Sequence, residues 1–147
     1  MTPIFKALAV CGLILAIPAA AKAPASGPVS GYMPEQVAWG ASTFSAYCSL
    51  CHDNSQHMIS DIGPPLFGVA GRRVGSVEGY AYSPALQASY ARGDIWDAAR
   101  LDAFLTNPEH SNPGTAMPMH FSDAAERTAI IAYLTTLTPA TQVSPAN

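Results

Sequence analysis

The chain has 147 residues, which fits one small domain plus a targeting segment. Hydrophobic residues make up 49% and charged residues 12%, a balance that excludes a disordered chain. The formal charge is -3 and five of the seven basic residues are scattered arginines, so no nucleic-acid footprint is present, and three cysteines cannot form a disulfide framework without a remainder.

The N-terminus reads as an export signal. Lys6 is a short basic region, Ala7 to Ile17 is apolar, and Pro18 breaks it. Ala19-Ala20-Ala21 then offers small residues to a signal peptidase. Residues 1–21 are therefore expected to be a cleaved signal peptide, with a cut near Ala25 as the alternative. An uncleaved anchor is the competing reading. The apolar stretch to Ala21 is shorter than the roughly 20 residues a spanning helix needs. Cleavage removes Cys11 and leaves Cys48 and Cys51 as the only cysteines.

Residues 22–34 are rich in Ala, Pro, Gly and Ser and read as a flexible lead-in. Val37, Gly40, Ala41 and Phe44 recur at helical spacing, which predicts a helix from about Glu35 to Tyr47 with Pro34 in its first turn. Residues 53–80 have no sustained period and are punctuated by glycines, so they read as loop. Ser83-Pro84 predicts a short helix with a capping hydroxyl. A further helix is expected from Asp97, as N-cap, to Asn107, stopped by Pro108. Residues 109–121 read as a second loop. The last helix is expected to start at Ser122 as N-cap, with Ile130, Tyr133, Leu134 and Leu137 forming one face. Residues 139–147 form a tail. Long loops in so small a domain point to a large rigid cofactor at its centre.

Cys48-Ser49-Leu50-Cys51-His52 is a C-x-x-C-H haem attachment signature. Two thioethers to one edge of a haem require two sulfurs about one helical turn apart, and the following histidine reaches the iron. Three other readings compete with it. A dithiol oxidoreductase places its motif at a helix start after a strand, whereas this one ends a helix. A zinc site would have to recruit Cys48, Cys51, His52 and His57, without the usual spacing. A plain disulfide leaves His52 unexplained. For the second axial ligand the residues alone leave Met33, Met58, Met117, Met119, His57, His110 and His120 open. Met117 stands out because it sits in a proline- and glycine-stiffened loop between two helices.

Taken together, the motifs resemble class I cytochrome c, the mitochondrial-type family and its bacterial relatives, over about residues 35–138. Gly40 and Phe44 stand where that family has its N-terminal helix glycine and aromatic, and Ala132-Tyr133-Leu134 matches its C-terminal helix. The resemblance implies that the Pro64 carbonyl accepts the haem histidine's N–H. It also implies that Arg72, Tyr82 and Trp96 serve the haem propionates. Pro113-Gly114-Thr115-Ala116-Met117 matches the family's methionine loop, which makes Met117 the ligand. There are departures. A family tyrosine near the methionine sulfur is Phe104 here, a family asparagine near the haem is Leu86, and the stretch between Tyr82 and Trp96 is lengthened.

The expectation is thus an all-α domain of about four to five short helices and long loops around one covalent haem c. Cys48 and Cys51 attach it, and His52 and Met117 ligate the iron. The resemblance implies an electron carrier cycling between Fe(III) and Fe(II), not an enzyme, and the export signal implies the periplasm. Its partners are redox proteins, with no nucleic acid and no stable membrane insertion. The alternatives are an electron-transfer subunit of a periplasmic dehydrogenase, or a haem enzyme or gas sensor with an open iron site.

Overall fold

The structure is a computed structural model that describes residues 31–138. The expected signal peptide, most of the lead-in and the 139–147 tail lie outside the described residues. Five helices follow in order: α1 (Pro34–Thr43), α2 (Pro84–Arg92), α3 (Ala98–Thr106), α4 (Pro108–Ser111) and α5 (Ala124–Thr136). Among the described residues there is no strand, only an isolated antiparallel bridge between Arg73 and Ile95. The all-α expectation holds.

Pro34 occupies the first turn of α1, where its missing N–H costs nothing, and the Gln36 side chain accepts from the Met33 N–H at 2.8 Å. The predicted helix runs on past Thr43, but with a change of pitch. Phe44–Cys48 is a π turn, in which the Ser49 N–H reaches back to the Phe44 carbonyl at 2.9 Å.

The packing centre is the crossing of α1 on α5. A Cβ at Gly40 would overlap the Ala129 carbonyl, so only glycine lets the two backbones meet. Phe44 and Tyr133 stack beside the crossing, their ring centroids 5.3 Å apart. Phe44, Leu101, Leu105, Phe121, Ile130, Ile131 and Leu134 build the core with Val69 from the loop shell. Of the predicted face of α5, Ile130 and Leu134 are buried and Tyr133 and Leu137 half-buried, while Arg127, Ala129, Ile131 and Ala132 are buried without having been expected. Arg127 crosses to α3, donating to Asp102 at 2.8 Å and to the Phe121 and Ser122 carbonyls.

Three local expectations need correction. Ser83 precedes α2 but makes no side-chain cap, and its hydroxyl is buried without a partner. Pro108 ends α3 and also begins α4, because Asn107 caps the His110 N–H and proline suits the first helical position. The N-cap of α5 is Asp123, which accepts from Ala125 and Glu126, one residue beyond the expected Ser122. Residues 53–80 are loop as expected. Their backbone is tied to the helical half: Gly68 N–H to Leu137, Gly71 N–H to Trp96 (2.9 Å) and Val74 N–H to Asp94 (2.8 Å).

Candidate functional site

The π turn delivers Cys48 at its last position, and a tight turn then carries the chain to His52, whose N–H bonds the Cys48 carbonyl at 2.9 Å. Both cysteines are half-buried and unpaired with each other. Burial, with a smaller contribution from Cys51, pushes the Cys48 thiol up to about 11. A dithiol oxidoreductase or thiolate ligand needs the opposite shift. Among the described residues no group of three or more His, Cys, Asp or Glu side chains is placed to hold a metal ion, so the zinc reading falls too.

His52 is fixed on two sides. Its ring packs closely against Gly63, where a Cβ would run into the imidazole. Its Nδ1 sits 2.7 Å from the Pro64 carbonyl. A carbonyl only accepts, so Nδ1 carries the proton and Nε2 keeps a lone pair. Burial lowers the His52 pKa against the opposing effect of the Pro64 bond, which favours the neutral ring. A neutral, oriented imidazole with a free nitrogen is what a metal ligand requires. The Gly63 N–H holds the loop to Cys51 at 2.8 Å. Asp53 shapes the loop beyond, its carboxylate accepting from the Ser55 and Ile59 N–H groups.

The expected polar residues lie together on the loop side. Arg72 donates to the Pro65 carbonyl at 2.7 Å and to the Phe67 carbonyl at 3.0 Å. Burial lowers its pKa and raises that of Tyr82, and each moderates the other's shift, so the two are electrostatic neighbours. The Trp96 N–H bonds the Arg72 carbonyl at 2.8 Å, and the indole meets Phe104 edge-on at 5.1 Å. Ser83 is the residue that sequence reasoning missed. Its buried, unpartnered hydroxyl follows Tyr82 directly, and a buried hydroxyl without a partner is costly unless a ligand supplies one. The Ser-Pro pair concealed it, because that pair reads as a helix cap.

Of the candidate sixth ligands, Met117 alone packs against the core. Met33, Met58 and Met119 are 53%, 36% and 37% exposed, and His57, His110 and His120 are exposed. Two thiols at haem spacing, a histidine with its outer nitrogen free, a shielded thioether and an orphaned buried hydroxyl all fit a haem.

No protein-family model matches the chain. Over 70 residues it is 40% identical to cytochrome c-550 of Ancylobacter novellus, covering 48% of this chain and 65% of that protein, a little under two thirds. It is 39% identical over 99 residues to cytochrome c of Euglena viridis, covering 67% of this chain and 93% of the relative. The solved structure of cytochrome cH from Methylobacterium extorquens superposes with a TM-score of 0.59 at 37% identity, over 68% of this chain and 97% of that one.

Proposed function

The chain belongs to the class I cytochromes c, and from that premise we propose that it is an exported shuttle whose iron is held between His52 and Met117. It is a monohaem c-type cytochrome and an electron carrier rather than an enzyme, with covalent haem c at the Cys48 and Cys51 motif. The haem supplies the one-electron Fe(III)/Fe(II) couple. His52 presents Nε2 while Pro64 holds its ring and raises its basicity. With haem bound, Met117 would offer the iron a neutral sulfur, which would favour the ferrous state and raise the potential. Arg72, Tyr82, Ser83 and Trp96 are the residues that would hold the haem propionates.

The observation that carries this reading is the His52 Nδ1 bond to Pro64, which frees Nε2. Ligand-binding and potential measurements on variants test it. Met117→Ala opens the iron to imidazole, and Met117→His lowers the potential by more than about 59 mV, a tenfold change in a one-electron equilibrium. The reading fails if Met119→Ala has these effects and Met117→Ala does not.

For location, no helix among the described residues is long and apolar enough to cross a membrane. We place the mature start after Ala21, in the periplasm. The intact mass of protein from a periplasmic extract checks this, and a mass retaining residues 1–21 supports the anchor instead.

For partners, the docking face is apolar with an acidic rim. Leu50 is 69% exposed between the two cysteines, and Ile62 is 71% exposed next to the loop bound to Cys51. Tyr47, Ala116, Pro118 and Met119 are exposed as well, with Tyr47 packed on Phe121. An open cleft of about 430 Å³ beside Met117 is lined by Glu109, Pro118 and His120 among others, and includes none of Cys48, Cys51 or His52. Among the described residues there is no lysine, and every arginine bonds or stacks internally. Asp61 and Glu109 remain exposed. Such a face suits a redox partner with an apolar patch and a basic margin. Stopped-flow electron transfer to an acidic-faced oxidase is therefore slow and does not slow further with salt. A fast rate that collapses as salt rises would place a basic docking face here instead.

A further inference from the structure

The buried polar residues farthest from ordinary core chemistry are Ser89 and Asn112. Ser89 sits inside α2 and is 0% exposed. A mid-helix serine usually faces water or bonds the carbonyl one turn back. Ser89 instead accepts from two side chains: Asn112 Nδ2 at 3.2 Å and Arg92 Nη2 at 2.8 Å. Arg92 continues to Asp94 at 2.8 Å, and Arg100 reaches the other oxygen of Asp94 at 3.4 Å. The Asp94 carbonyl in turn takes the Val74 N–H. One network thus joins α2, the loop shell and the start of α3.

Asn112 is its only member on the methionine loop, and it is 4% exposed. Its backbone bonds Pro108 behind it at 2.8 Å and Thr115 ahead of it at 3.0 Å. The Asn112–Thr115 turn has proline and glycine at its centre, with Gly114 at φ +81, and the Glu109 carboxylate accepts the Gly114 N–H. The turn is therefore stiff within itself. Its link to the rest of the protein through a buried side chain is Asn112 on Ser89. Met117 follows two residues later, so a stiff turn transmits any movement of its base to the thioether.

We infer that Asn112, seated on Ser89, is a positioning residue for Met117: the buried pair fixes the methionine loop against α2 and so limits release of the sulfur from iron. This rests on Met117 being the ligand.

The test is imidazole titration of the ferric holoprotein, followed at the red sulfur-to-iron charge-transfer band. Ser89→Ala and Asn112→Ala are each expected to bind imidazole about tenfold more tightly than the parent, and the double variant no more tightly than the tighter single. Ile131→Val, which removes a methyl group from the α1–α5 core, is expected to leave the affinity unchanged. Parental affinity in the single variants, additive effects, or an equal shift in Ile131→Val would overturn the inference. If Asn112→Ala does not fold, Ser89→Ala carries the test, since it deletes one oxygen and leaves the helix intact. Met117→Ala separates the two readings. Loss of the band in Met117→Ala with parental affinity in the Ser89 and Asn112 variants overturns the positioning role alone. A band that survives Met117→Ala overturns both.

Discussion

The α1–α5 crossing and the loop shell of residues 53–83 solve the same problem by different means. The crossing is held by close packing: a backbone contact at a glycine, an aromatic pair and a run of aliphatic residues. The shell has few buried apolar groups of its own, among them Val69 and Val74, and is held mainly by single backbone bonds to other elements. Arg72 spends its charge on two carbonyls of the shell, and Ser83 is left with an unmet hydroxyl. We expect one half to persist on its own packing and the other to become complete only around a ligand.

The largest test of that contrast is to remove attachment. In Cys48→Ala/Cys51→Ala protein prepared without haem, amide exchange at Gly63, Gly71 and Trp96 becomes fast, while amides of α5 keep measurable protection. Equal loss in both regions would show that they fold as one unit.

Next in size is the crossing itself. Ile130 is 1% exposed, and Ile130→Ala costs about 2–5 kcal/mol by denaturant titration of the holoprotein. Gly40→Val should fall in or above the usual overpacking range of about 1–3 kcal/mol, because the contact is backbone that cannot step aside. A cost below about 1 kcal/mol for both would mean that the haem, rather than the crossing, carries the stability.

The smallest effect concerns Asp53. Backbone bonds from Ile59 and Ser55, foremost among its neighbours, hold its carboxyl below the ordinary 3.8. A depressed carboxylate stabilises the fold above its unfolded pKa and stops doing so as pH falls through the folded value. Protection of the Ser55 and Ile59 amides should therefore fade only below about pH 4. In Asp53→Ala it should be absent at neutral pH, with the haem spectrum unchanged.

The sequence made some of this legible and hid the rest for definite reasons. The attachment motif is local, so it is readable residue by residue, and the α1 spacing announced its helix. Asn107-Pro108 carries two messages, a stop for α3 and a start for α4, and only the first was read. Ser122 and Asp123 are both good caps, and side-chain geometry chose between them. Ser83 looked like a cap because Ser-Pro usually is one. Pairing of Ser89 with Asn112 spans two elements far apart in the chain, and no local pattern encodes it.

The π turn at Phe44–Cys48 has a consequence for how this chain can change over evolutionary time. A widened turn shifts the angular phase of everything after it relative to everything before. Gly40 and Phe44 are clocked to α5, whereas Cys48 and Cys51 are clocked to the cofactor, and the widened turn is the gear between them. A single-residue deletion or insertion between Phe44 and Cys48 would leave α1 seated on α5 and swing the sulfurs off their target. The number of residues in the turn is therefore constrained by geometry as firmly as the motif that follows it.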